Sequence, residues 1–159
     1  MMATIQQLDA IDKKILSVLQ KEGRLSVSEL ADRVGLSASP CLRRMRQLED
    51  SGTIARYVAI LDKESVGLPI SVFVAVKLSK QPYSEAATMF SKEVARWPEV
   101  MECYVVTGPV DYLLRVAVAD VASFERFLKL RVRNLEYVAS VESSFCLDEI
   151  KSTTALPIT

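Results

Sequence analysis

The stretch GLSASPCLRRMRQLEDSG, residues 35–52, predicts a short helix between two glycines. Ser39 is placed to accept a hydrogen bond from the unpaired amides of a first helical turn. Pro40 suits the first helical position, because its missing N–H needs no partner there. Gly52 can adopt the left-handed backbone conformation that ends a helix. The stretch therefore predicts a helix with a cap at its start and a glycine at its end.

This helix has two chemically different faces. Cys41, Met45 and Leu48 form an apolar stripe. The other face is basic and amide-bearing, with Pro40, Arg43, Arg44, Arg46 and Gln47. Arginine pairs with guanine and glutamine with adenine in the major groove, and both reach phosphates. Two interpretations stay open at this point, a solvated amphipathic surface helix and a DNA recognition helix.

Two helices predicted upstream favour the second interpretation. Apolar residues recur at helical spacing over residues 8–19, with Asp9 as the N-cap and Gly23 as the end. A second helix begins at Ser26, which matches a capping box together with Glu29. Three short helices, with a glycine turn between the second and third, form a helix-turn-helix unit.

We therefore expect residues 1–61 to form a DNA-binding domain whose third helix contacts the duplex. The two serines at the start of that helix can hydrogen-bond phosphates, and its arginines and glutamine can reach base edges. The predicted contact residues are Ser37, Ser39, Pro40, Arg43, Arg44, Arg46 and Gln47.

Composition excludes several other classes of protein. The 159 residues are half apolar and carry no net charge, so we do not expect a single copy of the helix to bind DNA tightly, and two copies are expected to act together. The chain has no histidine and no Gly-rich phosphate loop, so we expect neither an enzyme nor a cofactor or metal site.

Three widely spaced cysteines imply no disulfide framework. Without a membrane-length apolar run or a signal peptide, the expected location is the cytoplasm.

The rest of the chain predicts a second domain of mixed α and β structure. Residues 54–61 are rich in β-formers and predict a strand or wing, and residues 62–70, with Gly and Pro, predict a linker. Residues 71–159 then form the second domain. Its strands are predicted at residues 71–78, 100–107, 112–119 and 138–147, with helices at 84–96 and 120–132 and a last short strand at 154–158.

The order β-α-β-β-α-β predicts a ferredoxin-like antiparallel sheet with two helices on one face, so the chain as a whole is α+β. The other face of the sheet would carry alternate residues such as Phe73, Ala75, Tyr104, Val106, Leu114 and Val116 or their neighbours. That face needs a cover, and a second subunit is the simplest one.

Several separated motifs occur in a fixed order along the chain. They are Leu8-Asp9-x-x-Asp12-x-x-Ile15-Leu16-x-x-Leu19-Gln20, Gly35-Leu36-Ser37-x-Ser39-Pro40-Cys41-x-x-Arg44-x-x-x-Leu48-Glu49-x-x-Gly52, Thr107-Gly108-x-x-Asp111-Tyr112-Leu113-Leu114, Ser143-Ser144-Phe145 and Thr153-Thr154-Ala155-Leu156-Pro157-Ile158. Together they resemble the Lrp/AsnC (leucine-responsive/asparagine regulator, feast/famine) family of transcription regulators. The resemblance covers essentially the whole chain.

The resemblance implies a C-terminal effector-binding domain that pairs through its sheet. Dimers of the family commonly assemble further, often into octamers, and small molecules, typically amino acids, bind between the effector domains. By this resemblance the effector site comprises Thr107, Gly108, Pro109, Val110, Asp111, Tyr112 and Ser143. Turn amides can hold a carboxylate, and the Asp111 carboxylate can hold an ammonium group or act only as a turn-forming residue.

One departure from the family concerns the residues after Gly108. Relatives often have an acidic or polar residue there, whereas this chain has Pro109 followed by Val110. The loop thereby loses a donor and a partner for an ammonium group. This favours either an apolar amino acid or an effector that is not a simple free amino acid.

The resulting functional hypothesis is a DNA-binding transcription regulator that responds to a small molecule and reads two half-sites of double-stranded DNA as an oligomer. The alternative is a low-specificity architectural protein that organises DNA. An enzyme on the same scaffold, similar to the decarboxylases of haem-precursor biosynthesis, would rely on histidine, which this chain lacks. A bare amino-acid sensor is disfavoured because the helices of the DNA-binding domain are complete.

Overall fold

The computed structural model describes residues 7–79 and 83–158. The ends of the two predicted domains, residues 1–6 and Thr159, lie outside the described residues. The chain forms two compact units. Met1–Ile60 and Lys151–Thr159 form the first, here called the helical unit, and Leu61–Ile150 form the second, the sheet unit.

Both predicted N-caps, Asp9 and Ser26, begin their helices, and the reciprocal bond was predicted for Ser26 with Glu29 but not for Asp9 with Asp12. The amide of Asp12 donates to Asp9 Oδ1 at 2.8 Å, and the amide of Asp9 donates to Asp12 Oδ2 at 3.2 Å. Ser26 and Glu29 form the same capping box at the second helix. Each box pairs amides that have no partner inside the helix. The helices are α1 (Ala10–Leu19), α2 (Val27–Val34) and α3 (Ala38–Asp50).

The start of α3 differs from the prediction by two residues. Ser37, not Ser39, is the N-cap, and Pro40 is the third helical residue rather than the first. Gly35 has φ +79°, and its amide donates to the carbonyl of Ala31 at 2.9 Å, which closes α2 and lets α3 begin early. Pro40 still lies in the first turn, where a missing N–H leaves no hydrogen bond unmade.

A glycine follows the end of α3, as predicted, but not the end of α1. Gly52 follows α3 with φ +75°, in agreement with its predicted role. Gly23 does not end α1, which stops at Leu19 with Gln20 as its C-cap. The amide of Gln20 donates to the carbonyl of Leu16, so the helix closes before Gly23 is reached.

Residues 54–61 form no strand, contrary to the first of the two predictions for this segment, a strand or a wing. Their β-branched and aromatic side chains are largely exposed, including Tyr57, Val58 and Ile60. High β propensity produces a strand only where another strand supplies hydrogen bonds, and the structure pairs this segment with none of the described strands.

The segment near the C-terminus belongs to the helical unit, and residues 154–158 form no strand there. The Gln20 amide nitrogen donates to the carbonyl of Leu156 at 3.2 Å, and the Leu156 amide donates to Gln20 Oε1 at 2.5 Å. Ile158 packs on the core of the helical unit. That core is formed by Ile15, Leu16, Leu30, Ala31, Val34, Cys41 and Leu48.

The sheet unit has the predicted βαββαβ order. Its four antiparallel strands lie in the order β2-β3-β1-β4, and two helices cover one face. The second helix continues as a π-helical turn, Leu128–Val132. The elements are β1 (Ile70–Leu78), α4 (Tyr83–Val94), β2 (Val100–Val105), β3 (Tyr112–Val118), α5 (Val121–Phe127) and β4 (Val138–Phe145).

The register of β1 and β3 decides which side chains face the helices. Val74 pairs with Leu114, and both are fully buried, so Leu114 lies on the helix-covered face rather than the open one. Val116, predicted on the open face, is also buried in the core. Phe73 and Ala75 do lie on the open face, opposite Arg115 and Leu113. A shift of one residue in a strand exchanges the two faces, and in β3 the open face carries Leu113 and Arg115, the neighbours that the prediction left open, rather than Leu114 and Val116.

Candidate DNA-binding surface and ligand turn

The solvent-facing side of α3 is polar and basic. Ser39, Arg43, Arg46 and Gln47 are exposed, and together with Leu42 and Asp50 they line a shallow depression along the helix. The opposite side is anchored in the core by Cys41 and Leu48, and burial raises the pKa of the Cys41 thiol. An anchored helix that presents guanidinium and amide groups in one row has the chemistry of major-groove readout.

Arg44 is placed elsewhere, although it is next to Arg43 in the sequence. Its Nη1 lies 2.7 Å from Asp12 Oδ1 and 2.7 Å from Asp9 Oδ2, at the beginning of α1. The hydrogen bond with Asp12, followed by the one with Asp9, raises the pKa of the Arg44 guanidinium. The pKa of Asp9 is lowered by the Asp12 amide first and by Arg44 second. The structure therefore does not bring Arg44 together with Arg43, Arg46 and Gln47.

The first turn of α3 is open to solvent. Ser37 and Ser39 are exposed, Pro40 is half-buried, and in the described part of the chain the Ser37 side chain makes no capping hydrogen bond. A helix N-terminus carries unpaired N–H groups and a partial positive charge, which favour a phosphate oxygen. This turn can therefore approach a DNA backbone.

A contact that the sequence did not indicate fixes the chain after α3. The Tyr57 hydroxyl donates to Glu49 Oε1 at 2.9 Å. Partial burial, together with the neighbouring Glu49 carboxylate, raises the pKa of Tyr57 to about 12. The hydroxyl thus stays protonated as a donor at neutral pH and ties residues 54–61 to the last turn of α3. The two residues are eight apart across a helix end, so no periodic pattern marks the pair.

The predicted ligand turn, residues 107–111, joins β2 to β3, and hydrogen bonds to its neighbours in the sheet hold it in place. The Val106 amide donates to the Asp111 carbonyl at 3.0 Å, and the Asp111 amide donates to the Val76 carbonyl at 3.0 Å. Asp111 Oδ2 accepts from the Leu78 amide at 2.8 Å. Gly108 has φ +124°, a conformation that side chains rarely allow. The Asp111 carboxylate therefore fastens the turn to the end of β1.

Two residues of the predicted ligand site lie apart from this turn. Tyr112 is buried with its ring 4.6 Å from that of Phe90, and its hydroxyl donates to the Ala87 carbonyl at 3.4 Å. It belongs to the core. Ser143 lies on β4, paired with Val74 of β1, so β1 separates it from the turn within one chain.

Comparison with known families identifies both units. The model described as Lrp/AsnC ligand binding domain matches residues 71–156, and one described as winged helix-turn-helix DNA-binding matches residues 8–55. This chain belongs to the Lrp/AsnC family. The similar proteins found by comparison are transcription regulators. The chain is therefore a DNA-binding transcription regulator of this family rather than an enzyme.

Three similar proteins illustrate how far the likeness extends. The Bkd operon transcriptional regulator of Pseudomonas aeruginosa is 41% identical over 152 residues, covering 96% of this chain and 99% of the relative. The DNA-binding transcriptional activator DecR of Escherichia coli is 40% identical over 151 residues, covering 95% and 99%. A Neisseria meningitidis transcriptional regulator, solved as its L-Met complex, has a TM-score of 0.91 and 45% identity, covering 95% and 97%.

The chain has the predicted α+β fold of the Lrp/AsnC family, with a helix-turn-helix followed by an antiparallel sheet and its helices. Among the helices in residues 7–79 and 83–158, none has the length and apolar character needed to cross a bilayer.

Proposed function

We propose that this Lrp/AsnC regulator changes its DNA affinity when an amino acid binds at the turn of residues 107–111. The observation that carries the proposal is the L-Met complex of the Neisseria relative, at 45% identity over nearly the whole of both chains. The turn has suitable chemistry, because exposed turn amides can hold a carboxylate. Pro109 and Val110 offer apolar surface in place of a charged group, which favours an apolar amino acid such as methionine.

Within this proposal, Asp111 acts chiefly by shaping the turn, through its hydrogen bond to the Leu78 amide. Ser143 lies beyond β1 in the same chain, so it reaches a ligand at the turn only when the ligand lies between two copies. An effector shared between subunits couples binding to assembly, since a ligand shifts an equilibrium only through its preference for one state.

The open face of the sheet is the proposed dimer interface. Phe73 is 41% exposed there, and Tyr104 is 53% exposed. Arg115 and Glu102 pair at 2.7 Å on the same face, and Tyr104 donates to the Glu102 carboxylate at 3.1 Å. Aromatic side chains around a satisfied ion pair suit contact with a second copy. Dimers would then assemble further, with the octamer as the expected state.

The DNA contacts are proposed to come from one α3 in each copy of a dimer. Arg43, Arg46 and Gln47 reach base edges, while the first turn of α3 contacts phosphates through Ser37, Ser39 and the chain at Pro40. Arg44 is proposed to position α3 against α1. Two helices related by the dimer axis read half-sites about one helical turn apart or a multiple of it. Such a regulator works in the cytoplasm, where the DNA is.

The test begins with DNA selected from a random duplex pool by the full-length protein. Thermal shift against the twenty amino acids identifies a ligand, and fluorescence anisotropy measures the affinity for selected and scrambled DNA with and without it. We expect tighter binding to the selected duplex than to the scrambled one, and a ligand-dependent change of about fivefold or more in the affinity for the selected duplex. Equal affinity for both duplexes at every ligand concentration, with a steep salt dependence, would instead identify an architectural DNA organiser.

A further inference from the structure

A cleft of about 510 Å³ opens at the end of the sheet unit that lies away from the ligand turn. It lies between the last residues of β3 on one side and α5 with the π-helical turn on the other. The ligand turn precedes the first residue of β3, and seven strand residues separate the two places, roughly 20 Å at about 3.3 Å per residue. The residues that line the cleft include Leu68, Glu99, Val118, Arg126, Leu130 and Arg131.

Glu99 is one of the charged groups in this cleft that lack adequate partners, and its side chain is 30% exposed. Its Oε2 is buried and has no hydrogen-bond donor among the described residues. Its Oε1 lies 3.9 Å from Arg131 Nη2, the upper limit of an ion pair. A buried carboxylate oxygen without a donor is unfavourable, and native proteins satisfy nearly all such atoms. The carboxylate can turn about its last side-chain bond, so either oxygen can meet a cation that enters the cleft.

Two guanidinium groups stand at the rim of the same cleft. Arg126 is exposed, its Nη2 donates to Ser123 Oγ at 3.3 Å, and its charge is a minor cause of the lowered pKa of Asp120. Arg131 is about half exposed and holds Glu99 only at long range. Guanidinium groups bind carboxylates through paired N–H donors, and neither arginine has such a partner in the described part of the chain.

The remaining wall of the cleft is apolar. Leu130 is 62% exposed, and Leu68 is also exposed. Val118 and Phe127 close the floor from the core side. Apolar walls with a few convergent charged groups are typical of sites for small ligands.

We propose that this cleft is a second small-molecule site, which takes an α-amino acid with an apolar side chain. The ammonium group of the ligand pairs with the Glu99 carboxylate. Its carboxylate pairs with Arg126 or Arg131, and its side chain covers Leu68 and Leu130. The site is separate from the ligand turn, so one chain holds two ligands at saturation.

Photo-leucine, the diazirine analogue of L-leucine, tests the proposal on the full-length protein. After irradiation, tandem mass spectrometry of the digested chain separates labels on residues 116–131 from labels on residues 105–112. We expect saturable labelling of residues 116–131 that excess L-leucine removes. In Glu99→Gln this labelling falls about tenfold, because one charge-assisted hydrogen bond is lost.

Glu125→Gln is the matched control, since Glu125 is exposed on α5 and does not line the cleft. Its labelling is expected to equal that of the parent. Glu99→Gln keeps the shape of the side chain and removes a poorly paired charge, so its melting temperature stays equal or rises. Melting curves of both variants without ligand therefore separate a binding defect from a folding defect.

The outcomes distinguish this proposal from the proposed function. The second site is overturned if labels are confined to residues 105–112 or if cleft labelling is unchanged in Glu99→Gln. Neither outcome contradicts the ligand turn as a binding site. Labels confined to residues 116–131 support the cleft and remove the turn as a site. No saturable label at either place overturns both. A changed sedimentation coefficient in Glu99→Gln with unchanged labelling assigns Glu99 to a contact between copies and overturns the cleft as a ligand site.

Discussion

Arg44 on α3 lies with Nη1 2.7 Å from Asp12 Oδ1 on α1. The same nitrogen contacts Asp9, so one guanidinium joins the recognition helix to both carboxylates of the α1 capping box. The side chain of Arg44 is 25% exposed, whereas its neighbour Arg43 faces solvent. Two adjacent arginines therefore have different tasks, and their substitutions should have different consequences.

Arg43→Gln and Arg44→Gln form a matched pair that separates DNA contact from helix placement. Arg43→Gln is expected to weaken DNA binding about tenfold and to lower the salt slope by about one, because a charge at the duplex is lost. Arg44→Gln is expected to lower the melting temperature and weaken binding without changing that slope. Anisotropy titrations over a salt series measure both. An unchanged melting temperature with a reduced slope in Arg44→Gln would return Arg44 to the DNA contacts.

The link between α1 and α3 also predicts a dependence on pH. The pKa of Asp9 is lowered from 3.8, first by the Asp12 amide and then by Arg44. A group whose pKa falls on folding stabilises the folded state fully above its unfolded pKa and loses that contribution as pH falls through the folded value. The melting-temperature advantage of the parent over Arg44→Gln should be constant from neutral pH to about 5 and shrink below 3.8. Circular dichroism melts at several pH values measure it, and an advantage that grows with acid would contradict the assignment.

Asp111 offers a test of shape against charge in the ligand turn. Asp111→Asn keeps an oxygen that can accept from the Leu78 amide, whereas Asp111→Ala does not. If the carboxylate acts by holding the turn, the Asn variant retains most of the ligand-dependent change in DNA affinity and the Ala variant loses it. Dimerisation should persist in both. Equal loss in the two variants would show that the negative charge itself holds the ligand.

Tyr112 was expected at the ligand site and lies in the core instead, so its substitutions should follow core energetics. Tyr112→Phe removes only the 3.4 Å hydrogen bond to the Ala87 carbonyl and should cost less than about 1.5 kcal/mol in the free energy of unfolding. Tyr112→Ala also removes the ring that packs on Phe90 and should cost about 3–5 kcal/mol. Urea denaturation measures both. A large loss of ligand response in Tyr112→Phe, with stability unchanged, would place the hydroxyl at the ligand.

Phe73 provides the test of the proposed dimer interface. Phe73→Glu places a second carboxylate beside Arg115, which already pairs with Glu102, and should shift the protein to smaller species in sedimentation velocity, because burying a carboxylate without a full partner is unfavourable. Met89→Glu is the control, since Met89 is similarly exposed on α4, which covers the opposite face. Unchanged assembly in Phe73→Glu would exclude this face as the interface.

Local features of the fold were predictable because their causes lie within a few residues. Asp9 with Asp12, and Ser26 with Glu29, are three residues apart and cap their helices whatever the rest of the chain does. The left-handed backbone conformation of Gly52 is also a local feature, because it depends only on the end of the adjacent helix. By contrast, residues 54–61 have strand-like composition but no strand to pair with, and pairing is decided far away in the chain.

The basic solvent-facing side of α3 was predictable from the sequence, but the separate placement of its adjacent arginines was not. Helical periodicity puts Arg43 and Arg44 only about 100° apart, and their difference comes from Asp12, 32 residues away. In the sheet, the register of β3 decides that Leu114 faces the core and Leu113 the open side. A one-residue uncertainty in a strand is beyond what composition resolves.

The helical unit is completed by residues from the far end of the chain. Gln20 pairs with the backbone of Leu156, and Ile158 packs on the core around α1. During synthesis, the first 60 residues therefore leave the ribosome well before the segment that finishes their hydrophobic cover is made. A fragment cut after Ile60 exposes apolar surface that the intact chain hides. A purification tag fused after Ile158 is attached to the helical unit, which carries α3, rather than to the sheet unit, which carries the ligand turn.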